Sequence, residues 1–406
     1  MKVYIESYGC TANQADAAAI REAIAAAGGT VVDSPAEADT VVVNTCAVTH
    51  YTSNAMLRAI ARHKGRRVIA AGCMAAAQPD LLRGCERADG PGPLPVLRVL
   101  GLEGADAIPL TLSGRTAIVK IAEGCRGRCS YCIVRRARGE LRSRPPGEVV
   151  AAVRRAVAAG AVEIFLTAQD TGAYGSDIGT DLPALIGRVS DVGGDFKVRM
   201  GMMNPFSIGE IVPQLAASLR LPRVYRFAHI PVQSGSDRIL GLMGRPYTET
   251  EYSSLIARLR EAVPGITFST DYITGFPTES DEDFRLTLDD LRTNRPLKVN
   301  ITRFSCRPGT PAAELPDLPG PVKKERSRAL TELHHEITSA YMRDAIGGTR
   351  RVLVTEKGKH GTVVARDDSY NMVVLREDLP LGTAAEADIV DFGVTYMIGT
   401  VGKEPE

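Results

Sequence analysis

The chain has 406 residues, of which 44% are hydrophobic and 24% charged, and its formal net charge is +1. This length predicts two or three domains, and the composition is typical of a soluble globular protein. The near-neutral charge gives no evidence for an acidic partner, and no apolar run is long enough to span a membrane. Without a signal peptide, the eight cysteines indicate metal or redox use in a cytoplasmic protein rather than disulfides.

Residues 1–84 alternate strand and helix patterns and are predicted to form the first domain. Strand-like runs lie at 3–5, 40–43 and 68–71, and an alanine-rich helix is predicted over 15–27. Such alternation favours a parallel sheet with helices on its faces.

Three cysteines follow these strands, namely Cys10, Cys46 and Cys73. Because the carboxyl ends of parallel strands share one edge, we expect the three thiols to converge there. They could hold an iron–sulfur cluster with one open iron, and the alternative is three unrelated buried cysteines. Cys85 and Cys306 follow no such strand and are expected to be ordinary core or surface residues.

Pro and Gly are dense in residues 85–116, which predicts a linker. Residues 117–320 then alternate strands with helices. The predicted strands are 117–122, 162–167, 196–202, 225–232, 267–273 and 299–304. Six such units predict a partial (βα)6 barrel, with its chemistry at the carboxyl ends of the strands.

The motif Cys125-x3-Cys129-x2-Cys132 follows the first of these strands. Three thiolates at this spacing can hold three corners of a four-iron, four-sulfur cluster and leave the fourth iron without a protein ligand. An open iron can bind and reduce S-adenosylmethionine (SAM), which starts radical chemistry. A zinc knuckle is the alternative, but it needs a second ligand pair, and none lies nearby.

Arginines are concentrated around the cysteine motif, with only Glu140 opposing them. They are Arg126, Arg128, Arg135, Arg136, Arg138, Arg142 and Arg144. Beside an active site this cluster predicts a nucleic-acid contact surface, and a solvated face is the alternative. We expect His229 to be a buried, hydrogen-bonded residue rather than a catalytic one.

The last segments are a long amphipathic helix over 321–346 and five short strand patterns within 347–406. Gly and Asp turns separate the strands, which predicts a small β-barrel of a kind often used on nucleic acid. The fold class is therefore α/β, with an N-terminal parallel sheet, a central partial barrel and a C-terminal β-barrel.

Nearly the whole chain resembles the radical SAM methylthiotransferases. The resemblance lies in Tyr8-Gly9-Cys10, Asn44-Thr45-Cys46, Gly72-Cys73, Glu123-Gly124-Cys125, Ser130-Tyr131-Cys132, the run 229–235, Gly275-Phe276-Pro277 and a TRAM-like tail. The runs 4–10 and 169–179 are similar to the archaeal and eukaryotic branch acting on N6-threonylcarbamoyladenosine at position 37 of tRNA. Arg126, Arg128, Arg135 and Arg136 depart from many relatives.

The resemblance implies a radical mechanism with two four-iron clusters and SAM. Cys125, Cys129 and Cys132 would hold the SAM-cleaving cluster, and Cys10, Cys46 and Cys73 the cluster that carries the sulfur. A 5′-deoxyadenosyl radical would take hydrogen from C2 of the adenine, which then gains –SCH3. Strand-end positions nominate pocket residues for catalysis (Arg199, Gln169, Asp271) and for cofactor binding (Tyr131, Thr167, Asn204, Gln233, Gly275).

Other functions stay open from the sequence. The same chemistry could act on isopentenyladenosine in tRNA or on an aspartate of a ribosomal protein. A non-catalytic iron–sulfur electron carrier or RNA-binding protein is the alternative from another class, although it would need four ligands for each cluster. The expected partners are the tRNA anticodon arm and an external electron donor, without a membrane, and the protein is expected to be a monomer.

Overall fold

The N-terminal domain is a five-stranded parallel sheet with helices on both faces. The computed structural model describes residues 1–48 and 50–402. In this domain it contains β1 (Lys2–Ser7), α1 (Thr11–Ala26), β2 (Thr30–Val32), β3 (Thr40–Thr45), α2 (His50–Arg62), β4 (Arg67–Gly72), α3 (Cys73–Ala77), β5 (Glu86–Arg87) and α4 (Pro93–Leu100). The strand order is β2-β1-β3-β4-β5, and every residue of β3 is buried because helices cover both faces of the sheet.

The segment predicted as a linker, 85–116, is largely structured. Strand β5 pairs with β4, and helix α4 buries Val96, Leu97 and Leu100 in the same core as Val3 and Ile20. The dense Pro and Gly predicted a linker, but β5 and the apolar residues of α4 pack much of this segment onto the first domain. Pro93 at the start of α4 and Gly101 after its end act as helix boundaries instead.

The central domain is a partial barrel of six parallel strands with an antiparallel edge strand. Its elements are β6 (Thr111–Ser113), β7 (Thr116–Lys120), β8 (Ala122–Glu123), α5 (Val134–Arg138), β9 (Arg142–Ser143), α6 (Pro146–Ala158), β10 (Glu163–Thr167), α7 (Leu182–Ser190), β11 (Lys197–Met200), α8 (Pro205–Ile208), α9 (Val212–Leu219), β12 (Phe227–His229), α10 (Asp237–Leu242), α11 (Glu249–Ala262), β13 (Thr267–Thr274), α12 (Asp281–Asn294) and β14 (Lys298–Arg303). The order β6-β7-β10-β11 continues into β12-β13-β14 through the bridges Val198–Val224 and Met202–His229.

The C-terminal domain is a closed five-stranded barrel that follows the long helix α13 (Gly320–Asp344). Its strands are β15 (Thr349–Lys357), β16 (Val363–Asp367), β17 (Met372–Leu375), β18 (Ala384–Phe392) and β19 (Met397–Thr400), in the order β15-β16-β17-β19-β18. Alternate apolar residues such as Val352 and Val354 fill its interior. The predicted α/β class with a C-terminal β-barrel is confirmed. Within the described residues, no helix is both long and apolar enough to cross a membrane.

A turn of the C-terminal barrel covers the amino ends of the central strands. This turn, 368–371, joins β16 to β17. The Asp368 carbonyl accepts from the Arg226 amide at 2.8 Å, and the Tyr370 carbonyl accepts from Lys298 Nζ at 2.9 Å. The end of the partial barrel opposite its cysteine motif is therefore closed by another domain.

Candidate active site

Both predicted cysteine triads face one cavity. The cavity has a volume of about 690 Å³ and is lined by Cys10, Cys46, Cys73, Cys125, Cys129 and Cys132 together with residues of the central barrel. All six thiols are free of disulfides. The carboxyl edges of the N-terminal sheet and of the central barrel therefore point toward each other, and the two triads meet across the space between them.

The N-terminal triad is brought together by the sheet edge. Cys10 follows β1, Cys46 follows β3 and Cys73 begins α3 directly after β4. The backbone at Gly9 approaches Cys46 so closely that a Cβ on residue 9 would lie 2.7 Å from Cys46 Cβ. The glycine before Cys10 is therefore needed for this convergence.

Burial favours the protonated form of four of the cysteine thiols, two in each triad. It raises the pKa of Cys73 to about 12 and that of Cys125 to about 11, and it also raises the pKa values of Cys46 and Cys132. The Arg138 guanidinium opposes this effect at Cys73. A bound metal centre would favour the thiolates, which are the soft ligands that iron–sulfur clusters use.

The cysteine triads do not form a ready-made site for a single metal ion. Among residues 1–48 and 50–402, no three His, Cys, Asp or Glu side chains are close enough together to hold one metal ion. Tetrahedral zinc needs its thiolates about 2.3 Å from one centre, whereas a cluster spreads its ligands over several irons.

Hydrogen bonds fix the loop that carries the second triad. Gln169 Oε1 accepts from the Gly124 amide at 2.7 Å, and the Gly127 amide donates to Cys125 Sγ at 3.2 Å. Arg135 donates to the carbonyl of Cys125 and, at 3.4 Å, to that of Gly127. The role of Gln169 in this structure is thus to hold the loop from the end of β10.

A buried polar group lies beside this loop. Asn204 donates through Nδ2 to Asp170 Oδ2 at 2.8 Å and accepts from Arg245 Nη1 at 2.6 Å. Burial raises the pKa of Asp170, while its hydrogen bonds to Asn204 and Ser207 favour the charged form. Asn204 and Arg245 both line the cavity and present polar groups to it.

A buried charge network joins the two domains next to the cysteines. Asp16 on α1 accepts from Lys120 Nζ at 2.5 Å and from Arg138 Nη2 at 2.7 Å. Glu123 accepts from both cations at 2.6 Å. Asn13 Oδ1 accepts from Arg138 Nη2 at 2.7 Å and lies 3.7 Å from Cys73 Sγ. Two cations and two carboxylates thus balance each other between the triads.

The floor of the cavity is aromatic and carries one arginine. The Cζ atom of Arg199 lies 3.9 Å from the ring centre of Phe165, 5.0 Å from that of Tyr370 and 5.1 Å from that of Phe227. Tyr370 belongs to the turn of the C-terminal barrel that closes the central strands. Sequence reasoning nominated Arg199 but missed Tyr370, which is about 170 residues away in the chain and has a positive φ of 63°.

Twelve of the fourteen nominated site residues line the cavity. Besides the six cysteines they are Tyr131, Thr167, Gln169, Arg199, Asn204 and Gln233. Asp271 is not part of the lining; it accepts from His229 Nε2 at 2.8 Å and from Asn300 Nδ2 at 2.7 Å, and those two residues face the cavity instead. Gly275 lies against Lys323 of α13, because its turn packs on that helix.

The arginine cluster divides into two groups. Arg126, Arg128, Arg136 and Arg142 are exposed. Arg138, which the sequence placed in a nucleic-acid contact surface, is 3% exposed and serves the charge network, so that expectation is wrong for this residue. Arg135 holds the cysteine loop, and Arg144 pairs with Asp106 at 2.6 Å.

Comparison with known proteins identifies the three domains. Residues 119–291 match the Radical SAM superfamily, residues 2–89 the uncharacterized protein family UPF0004, and residues 343–401 the TRAM domain. The fold is similar to a radical S-adenosylmethionine methyltransferase from Kitasatospora setae, with a TM-score of 0.57 at 16% identity over 77% of this chain and 75% of that one. It also resembles a cobalamin-dependent S-adenosylmethionine radical enzyme, with a TM-score of 0.53 at 11% identity over 84% and 56% of the two chains.

This protein is a radical SAM enzyme, because a three-cysteine loop lies at the mouth of its partial barrel and the superfamily model matches the same domain. Membership of this class implies SAM and a [4Fe–4S] cluster as cofactors. The chain is 38% identical to a probable threonylcarbamoyladenosine tRNA methylthiotransferase of Archaeoglobus fulgidus over 100% of this chain and 99% of that one. It is 34% identical to the threonylcarbamoyladenosine tRNA methylthiotransferase of Homo sapiens, over 98% and 73%. The chain belongs to the threonylcarbamoyladenosine tRNA methylthiotransferase family.

Proposed function

We propose that this protein transfers a methylthio group to C2 of N6-threonylcarbamoyladenosine at position 37 of tRNA. The observation that carries the proposal is the meeting of two cysteine triads, one from each of two domains, at one cavity. Relatives named for this activity match the chain over nearly its full length at 34–38% identity. In the reaction the C2–H bond is replaced by C2–SCH3.

The two triads would hold two [4Fe–4S] clusters. Cys125, Cys129 and Cys132 would hold the first, and Cys10, Cys46 and Cys73 the second. When bound, the clusters and SAM supply the radical that activates the C–H bond and the methylthio group that replaces the hydrogen, with electrons from an external donor. The chain's own contribution is to bring both centres to one cavity and to exclude water around them.

The remaining lining residues would bind SAM and the substrate. Asn204 and Arg245 form a polar pair beside the first triad, suited to the amino acid part of SAM. Tyr131, Thr167 and Gln233 also line the cavity and would contribute to this binding site. We assign Asp271 to positioning rather than to catalysis, because it orients His229 and Asn300 from behind.

The tRNA would approach the open side of the cavity. Arg126, Arg128, Arg136 and Arg142 are exposed on the chain segment around the cysteine motif and would make phosphate contacts with the anticodon arm. A base at position 37 lies in a loop, where proteins reach bases by splaying them out of the stack. The TRAM domain would add a second contact, which is local because residues 347–402 carry no marked excess of basic groups.

An anaerobic turnover assay tests the proposal. The reconstituted protein receives SAM, dithionite and tRNA carrying threonylcarbamoyladenosine, with isopentenyladenosine tRNA in parallel, and the nucleosides are analysed by mass spectrometry. We expect the methylthio mass gain only on the threonylcarbamoyl nucleoside. A gain on the isopentenyl nucleoside, or SAM cleavage without change in either nucleoside, would contradict the substrate assignment.

A further inference from the structure

We infer that Arg199 is a specificity-determining residue that binds the carboxylate of the substrate's threonylcarbamoyl group. The inference rests on the proposed function and assigns the part of the substrate that the cavity floor recognises. A threonylcarbamoyl group ends in a carboxylate, whereas an isopentenyl group is uncharged and apolar.

Arg199 lies at the floor with a guanidinium that has no polar partner. It makes neither a hydrogen bond nor an ion pair to any residue of the described ranges, and its Nε is buried without an acceptor. Three aromatic rings surround it instead, the nearest at 3.9 Å. The rings fix the plane of the guanidinium and shield it from water, which strengthens a charge-assisted hydrogen bond to any anion that enters.

The other cavity-lining arginines of the described residues are already partnered. Arg138 pairs with Asp16 and Glu123, and Arg135 pairs with Glu140 at 3.0 Å. Arg245 donates to Asn204 at 2.6 Å. Among the cavity-lining arginines that the structure describes, Arg199 alone has neither an ion-pair partner nor a hydrogen-bond acceptor, so its guanidinium is free to meet a carboxylate that reaches the floor.

The charged groups behind Arg199 do not neutralise it by direct contact. Burial lowers the pKa of Arg199, and Glu163 opposes this effect from a distance while it accepts a hydrogen bond from Thr116 at 2.9 Å. Lys298 donates to the Tyr370 carbonyl at 2.9 Å, and Arg366 pairs with Glu356 at 3.2 Å. Burial and the neighbouring arginines lower the pKa of Lys298 to about 7. The guanidinium of Arg199 is therefore the group left to meet a substrate anion.

The position of Arg199 along its strand suits this role. Arg199 pairs in register with Phe165 on the neighbouring strand. Each of the two lies two residues before a cavity-lining residue at the end of its own strand, Gly201 and Thr167 respectively. Because side chains alternate along a strand, Arg199 faces the same side as Gly201 but lies one layer further from the mouth. The cysteines lie at the mouth. An adenine that presents C2 to the mouth directs its N6 substituent deeper into the barrel, toward the floor and its arginine.

The test compares two anticodon stem-loop RNAs that differ in one group. One carries threonylcarbamoyladenosine at position 37, and the other carries the same nucleoside with the threonyl carboxylate replaced by a carboxamide. The holoenzyme, Arg199→Met, Arg199→Lys and Arg223→Met are each assayed for KM and kcat on both RNAs. Arg223 is the matched control, because it also stacks on a ring (Phe196, 5.3 Å) but does not line the cavity.

We expect the wild-type enzyme to use the carboxylate RNA with a kcat/KM about 10-fold to 100-fold higher than the carboxamide RNA. Arg199→Met should lose this preference mainly through a higher KM on the carboxylate RNA, Arg199→Lys should keep part of it, and Arg223→Met should keep all of it. Iron content and melting temperature establish that each variant is folded.

The results distinguish a failure of the carboxylate site from a failure of the proposed function. Equal use of both RNAs by the wild-type enzyme, with methylthio product formed, overturns the carboxylate site and leaves the proposed function standing. An equal loss on both RNAs in Arg199→Met also overturns it, since a structural arginine would give that result. Product on neither RNA, together with product on isopentenyladenosine RNA, overturns the proposed function and this inference with it.

Discussion

Arg138 Nη2 donates to Asp16 Oδ2 at 2.7 Å, and this buried ion pair joins the N-terminal sheet domain to the cysteine loop of the central barrel. Asp16 lies on α1, which begins directly after Cys10, and Arg138 ends the short helix that follows Cys132. The same guanidinium contacts Asn13, which reaches toward Cys73. One side chain therefore relates the placement of one triad to that of the other.

Loss of this pair should destabilise the protein strongly. Asp16→Asn leaves Arg138 and Lys120 buried with one carboxylate between them, and breaking a buried ion pair costs about 3–5 kcal/mol in the free energy of unfolding. Urea denaturation of the anaerobic protein measures this loss. Glu86→Gln is the control, because its pair with Arg67 at 2.7 Å is exposed and should contribute less than about 1 kcal/mol. Equal effects of the two substitutions would contradict the assigned role.

The two triads should lose iron independently. Cys132→Ala and Cys46→Ala should each lower the iron content of the reconstituted protein by about half, since each removes a ligand from one cluster. Only Cys132→Ala should abolish the formation of 5′-deoxyadenosine. Cys306→Ala should retain all of the iron, because Cys306 lies in a separate apolar cluster with Phe276 and Phe304. Full iron in either triad variant would argue against two clusters.

Gly124 should not tolerate a side chain. Its φ is +77°, and a Cβ there would lie 1.9 Å from the Glu140 carbonyl oxygen, so Gly124→Ala must displace the loop before Cys125. We expect a loss of iron from the first cluster and of SAM cleavage, measured by absorption spectroscopy and product analysis. Gly147→Ala is the control, because a Cβ at that helical position meets no atom within 4 Å. Normal iron in Gly124→Ala would refute this account of the loop.

The free energy of unfolding should fall as the pH rises from about 4 to about 7, because in this range Asp290 keeps its proton in the folded protein but loses it in the unfolded chain. Burial raises the pKa of its carboxyl to about 7, above the value near 4 of an unfolded chain. The folded protein then binds the extra proton in this range, so deprotonation costs folding free energy on the order of 4 kcal/mol. Asp290→Asn should remove most of this dependence in urea titrations at pH 5 and pH 8. Asp289→Asn, at a partly exposed neighbouring position, should leave this dependence in place, and an unchanged slope in Asp290→Asn would refute the assignment.

Much of the site could be predicted from local signals. Cys10, Cys46 and Cys73 each follow a strand, and the parallel-sheet rule alone places them at one edge. Asn204 and Gln233 were found in the same way, as polar residues at strand ends. Asp271 followed the same rule without lining the cavity, because its hydrogen-bond partners on the neighbouring strands, His229 and Asn300, line it instead.

What could not be predicted depends on contacts between domains. In the sequence Arg138 is one of several arginines in a basic run. Nothing near it in the chain indicates that it is buried and paired with Asp16, which lies 122 residues earlier. Tyr370 lies in a polar turn, and its place under the barrel follows from backbone hydrogen bonds such as Arg226 to Asp368. These bonds have no signature in hydrophobic periodicity.

The aromatic floor has a consequence for how the protein is made. Tyr370 is synthesised after every strand of the central barrel, and its side chain completes the cavity only when the C-terminal barrel has folded against Arg226 and Lys298. A nascent or truncated chain that ends after α13 would have both cysteine triads but a cavity open to water from below. Completion of translation therefore determines when this protein can enclose a radical.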